Sequence, residues 1–74
     1  MKTSINQEVS VGKFTFHIQT EYYSASQKIV TNIFRDGAIV KRLEKDVLPS
    51  RSVDEQIKEF HRSVVSKILL RKAR

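Results

Sequence analysis

The sequence predicts an α+β domain: a four-stranded antiparallel meander followed by one C-terminal helix packed on the sheet (ββββα). Three observations carry the prediction. Residues 14–22 alternate, with Phe14, Phe16, Ile18 and Tyr22 pointing one way and Thr15, His17, Gln19 and Glu21 the other, as in a half-buried strand. Asp36-Gly37 joins two β-branched runs and is a strong hairpin signal, because a type I′ turn needs positive φ at both central residues. From Ser52 onward the period changes, and Val53, Ile57, Phe60, Val64 and Ile68 fall on one face of a helix.

Taken in order, Ile5, Val9 and Val11 alternate with polar residues and give a first strand at 3–10. Gly12-Lys13 breaks it, and the second strand runs through 13–22. Ser24-Ala25-Ser26-Gln27 is a short polar connection to Ile29-Val30-Thr31-Asn32-Ile33-Phe34, a β-branched run within a third strand at 28–35. Ile39, Val40, Leu43 and Val47 then give the returning strand, at 38–46. Pro49 ends the sheet, and the helix is expected at 52–72. Ser52-Val53-Asp54-Glu55 fits a capping box, in which the Ser52 hydroxyl and the Glu55 carboxylate each accept from the other residue's N–H. Asp54 and Glu55 sit at the positive end of the helix dipole, and Lys67, Arg71, Lys72 and Arg74 at its negative end.

Register sharpens the expectation. A two-residue turn at Asp36-Gly37 sets Phe34 opposite Ile39 and Val30 opposite Leu43 on one face, with Ile33 opposite Val40 and Ile29 opposite Glu44 on the other. One helix covers only one face. The second then keeps Ile29, Ile33, Ala38 and Val40, while His61, Val65 and Leu69 form a second stripe on the helix. Two uncovered apolar surfaces point to a homodimer through Ile29, Ile33, Val40, Val65 and Leu69.

Seventy-four residues make a single domain, 1–74, with a thin margin of stability. With no cysteine, disulfides and Cys-based zinc sites are excluded, and a reducing compartment is expected. The opening residues lack an apolar h-region, and no run approaches the ~20 apolar residues of a bilayer span, so the expectation is a cytoplasmic protein with no membrane span. The net charge of +6 is unevenly placed. Residues 1–59 hold nine basic and eight acidic side chains, and the other five cations, Arg62, Lys67, Arg71, Lys72 and Arg74, follow with no acid among them. Such a basic balance favours anionic partners.

Candidate chemistry is sparse. His17, Gln19 and Glu21 stand side by side on the polar face of the second strand, with His61 on the shoulder of the helix, and together they form a candidate polar surface. A His and a carboxylate can serve as acid–base partners or metal ligands, but neither a nucleophile nor a third ligand accompanies them. No P-loop, G-x-S-x-G, G-x-G-x-x-G or H-E-x-x-H is present, so neither catalysis nor a cofactor is expected. A candidate anion or nucleic-acid surface comprises Lys58, Arg62, Lys67, Arg71, Lys72 and Arg74, with Lys41, Arg42 and Lys45 on the last strand. Tyr23 is an aromatic ring placed to stack a base.

The runs Phe16-His17-Ile18-Gln19-Thr20-Glu21, Ile29 through Ile39, and Glu59-Phe60-His61-Arg62 resemble a small bacterial module. That module has an aromatic-His-apolar-Gln-Thr-Glu strand, a Gly-containing hairpin, and a helix with a His followed by a basic residue. The likeness spans residues 14–68 and marks His17, Gln19, Glu21 and His61 for testing, but implies no substrate, cofactor or mechanism. In topology alone, four strands and a helix in a basic dimer are similar to the single-stranded-DNA-binding domain of transcriptional coactivators. The resulting expectation is a non-enzymatic, homodimeric interaction module that recognises an unidentified protein partner. The alternative is a sequence-tolerant single-stranded nucleic-acid binder using the basic helix end.

Overall fold

Four antiparallel strands form one sheet in the order β1-β2-β3-β4, and a single helix crosses one of its faces. The structure, a computed structural model, describes residues 4–72, with side chains described for residues 4–70. The elements are β1 Ser4–Val11, β2 Phe14–Tyr23, β3 Lys28–Arg35, β4 Ala38–Asp46 and α1 Val53–Lys72. Thr3, expected in the first strand, lies outside the described residues. No helix among them is long and apolar enough to cross a membrane.

Each connection follows from its residues. Asp36 and Gly37 take φ values of 54° and 80°, as a type I′ turn requires. Gly12 turns the first hairpin at φ 62°, and Gln27 closes the middle loop at φ 52°, its N–H bonded to the Ser24 carbonyl at 3.3 Å. Ser52 caps α1, its hydroxyl accepting from Glu55 N–H at 3.4 Å. The return half of the expected capping box is replaced: the Glu55 carboxylate lies 3.8 Å from the Arg51 guanidinium instead.

The expected register of the last hairpin is corrected by one residue beyond its first pair. Phe34 faces Ile39 as predicted, but a bulge between Ile33 and Phe34 leaves Val40 unpaired and sets Ile33 opposite Lys41. Thr31 therefore faces Leu43, Val30 faces Glu44 and Ile29 faces Lys45.

The choice of covered face is corrected too. Ile29 (0% exposed) and Ile33 (6%) are buried on the face that α1 covers, so the uncovered face is not the one that carries them. One core cluster joins Val9, Ile18, Ile33 and Val64, with Val11, Phe16, Leu43, Phe60, Val65 and Ile68 packed at its margin, and Ile29, Val30 and Ile57 are buried as well. Burying an aliphatic side chain such as Ile57 or Val64 contributes about 1.5–3 kcal/mol, and one helix supplies both.

Two points tie α1 down. At its start, Gln56 fixes the segment after β4: its Oε1 accepts from Leu48 N–H and its Nε2 donates to Leu48 O, each at 2.9 Å. Five residues later His61 reaches Gln7 on β1. The helix packs mainly over β1, β2 and β3. A helix about 10 Å across covers roughly two strands spaced about 4.8 Å apart, so this crossing leaves one corner of the sheet, at β3 and β4, without a lid.

Candidate functional site

The residues expected to share a polar surface are divided by the sheet. His17, Gln19 and Glu21 lie on the open face, whereas His61 is 5% exposed under α1 on the other side, so the two histidines do not meet. His17 Nε2 lies 3.3 Å from Asn6 Oδ1, and its ring is 6.0 Å from that of Phe34. Glu21 accepts from the Tyr23 hydroxyl at 3.2 Å and pushes the Tyr23 pKa up through its charge and that bond. Beside His17 is a shallow, open depression shared with Glu8, Thr15, Gln19 and Phe34. Among the described residues, no three His, Cys, Asp or Glu side chains are grouped to hold a metal ion.

His61 belongs to a buried chain of hydrogen bonds that its position in the sequence did not disclose. Its Nε2 and Gln7 Oε1 are 2.7 Å apart, its Nδ1 and Thr20 Oγ1 2.7 Å, and Thr20 Oγ1 and Thr31 Oγ1 2.7 Å. Burial lowers the imidazole pKa below the ordinary value of 6.5 and so favours the neutral ring. In that ring, with Gln7 Oε1 accepting, Nε2–H is the donor, so Nδ1 accepts from Thr20 and Thr31 donates to Thr20. Thr20 and Thr31 are both 0% exposed, so the arrangement has a nucleophile and a base but no route for substrate. Its role is to join α1 to β1, β2 and β3.

The described members of the expected anion-binding set are also dispersed. Lys58 is paired with Asp54 at 3.1 Å, and Arg62 is exposed. Lys67 faces back toward the sheet, and the side chains of Arg71, Lys72 and Arg74 lie outside the described residues. On the open face, Glu8, Glu21, Glu44 and Asp46 accompany Lys28 and Arg42. Both of these cations are paired, Lys28 with Asp46 at 2.9 Å and Arg42 with Glu44 at 3.3 Å, so the unpaired charge is acidic.

The uncovered corner holds the feature that sequence reading missed. Between the C-terminal half of α1 and the sheet lies an apolar groove of about 380 Å³. Phe14, Phe16, Ile33, Val40 and Leu43 line its sheet side, and Val64 and Ile68 its helix side. Phe14 is 49% exposed and Val40 50%. The bulge matters here, because it brings Val40 and its neighbour Lys41 together to the groove. Val11, Arg35, Lys41 and Lys67 complete the lining, which contains no acid. Among the described residues none of the three cations forms an ion pair, although Arg35 stacks 4.9 Å over the Phe14 ring. Near Lys45, the Glu59 carboxylate is already engaged by Arg51 through bonds of 3.0 and 2.6 Å, which hold its pKa low.

No protein-family model matches the chain, and neither the curated proteins nor the solved structures contain a match to it.

Proposed function

We propose that this protein is a non-enzymatic interaction module and that the groove between α1 and the β3–β4 corner is its binding site. The observation that carries the reading is a half-exposed apolar lining, Phe14 and Val40, placed among three cations that have no acidic partner among the described residues. Apolar surface gathered in a concavity with a few polar groups at its margin is the usual form of a binding site. The buried Thr20–His61 pair supports stability rather than turnover, because both side chains are closed off from solvent.

A different protein chain suits this groove better than a second copy. Two of the five residues expected at a dimer interface, Ile29 and Ile33, are enclosed in the core. Two copies meeting at the groove would also bring Arg35, Lys41 and Lys67 against their own counterparts, and like charges facing each other are unfavourable. Single-stranded nucleic acid is disfavoured at the sheet, where Glu8 and Glu21 remain uncompensated against phosphate.

The test is a panel of amphipathic peptides of varied charge titrated into isotope-labelled protein, with amide shifts followed by NMR. A binder should perturb Val40, Leu43, Lys67 and Ile68 while sparing His17 and Gln19, and Val40→Asp should abolish the effect. If no peptide in the panel moves these resonances, the groove is not a binding site.

A further inference from the structure

The three cations come from three different elements: Arg35 from the end of β3, Lys41 from β4 and Lys67 from α1. Arg35 and Lys41 lie on the sheet side of the groove and Lys67 on its helix side, along the same walls as Val40, Leu43 and Ile68. A ligand with a single anionic head, such as a fatty acid, satisfies one such position and leaves the others unmatched. A ligand with several carboxylates flanking an apolar stripe meets all three. The groove holds a few aliphatic side chains and not a whole helix, so its occupant inserts one edge and keeps its backbone outside.

Strand addition to the neighbouring free edge of β4 is opposed by that edge itself. The bulge at Val40 interrupts its regular hydrogen-bonding edge, and Lys41, Arg42 and Lys45 crowd it with charge, both devices that discourage pairing. The open position lies in the helical layer, beside α1 and over Leu43 and Val40, where a second helix would complete the cover of the sheet.

We infer that the groove receives an acidic amphipathic helix of another protein, its apolar edge on Val40, Leu43 and Ile68 and its carboxylates beside Arg35, Lys41 and Lys67. This rests on the reading of the groove as a protein-binding site and adds the chemistry of the partner.

The experiment uses a synthetic helical peptide with leucines at i, i+3, i+4 and i+7 and glutamates at the flanking positions. Versions with glutamine or lysine in place of glutamate, and oleate as a single-headed anion, complete the set. Affinities are measured by fluorescence anisotropy for the peptides and by NMR titration for all four, at low and high salt. The glutamate peptide should bind at the groove about tenfold more tightly than the glutamine version at low salt, as a few exposed ion pairs allow. The gap should narrow as salt screens it. The double variant Lys41→Glu with Lys67→Glu should keep its fold by circular dichroism and reverse the order, preferring the lysine peptide. Equal affinity of the glutamate and glutamine peptides at the groove would overturn the acidic class and leave the interaction module standing. Preference for oleate over the glutamate peptide would overturn it in favour of an anionic lipid. Failure of every peptide and of oleate to touch the groove would overturn the module reading along with it.

Discussion

His61 shows how a single buried group gives the fold a pH dependence of known sign. Its folded pKa is depressed by burial, so below the ordinary histidine value of 6.5 the unfolded chain binds the proton more readily than the native one. Stability is therefore complete above that value and falls as pH drops toward the folded pKa. Denaturant melts from pH 7.5 down to pH 5 should show this loss in the parent. In His61→Gln, which has no titrating ring, the part of the slope due to this residue should vanish; an unchanged slope would place the dependence elsewhere. Thr20→Val tests the same chain of bonds from its centre. It leaves His61 Nδ1 without its donor and the Thr31 hydroxyl without its acceptor, for an expected loss of about 1–3 kcal/mol in the same melts. Nothing in the sequence around His61 disclosed this role, because its partners are 41 and 54 residues away in the chain.

The strands and helix were far more legible, because local chemistry dictates them. Asp36-Gly37 and Ser52 each act within four residues, and both do in the structure what their types require. Ser52→Ala should destabilise by about 1 kcal/mol through the lost cap. Gly37→Val should lose more, even though a side chain there meets open space, because its φ of +80° is strained for a β-branched residue. Equal denaturation midpoints for Gly37→Val and the parent would contradict the turn assignment. What local pattern did not supply was the bulge at Val40, which changes every later pair of the hairpin by one residue. β3 is also apolar on both faces, with Ile29 and Ile33 on one and Val30 and Phe34 on the other, so its own pattern does not choose which face α1 covers. Packing chooses, and it encloses Ile29 and Ile33.

The groove arises only when all five elements are assembled. It depends on the placement of α1, fixed by Gln56 at Leu48 and by His61 at Gln7, and on the bulge that places Val40 beside Lys41. No stretch of sequence contains that placement. The proposal of a foreign, acidic partner also implies that the isolated protein is monomeric: light scattering at micromolar concentration should return the 8.6 kDa of one chain. Twice that mass would point instead to self-association, for which exposed Leu69 and Leu70 are the surfaces to mutate next.

Because the chain has no cysteine, single introduced thiols report accessibility without background. Val40→Cys in the groove and Ile29→Cys in the core make a matched pair on opposite sides of the claim that this corner is open and recognised. Thiol labelling should be fast for Val40→Cys and slow for Ile29→Cys in the folded protein. The glutamate peptide should then slow Val40→Cys alone. A Val40 thiol as protected as the one at position 29 without any ligand, or one whose labelling the peptide leaves unchanged, would contradict the account.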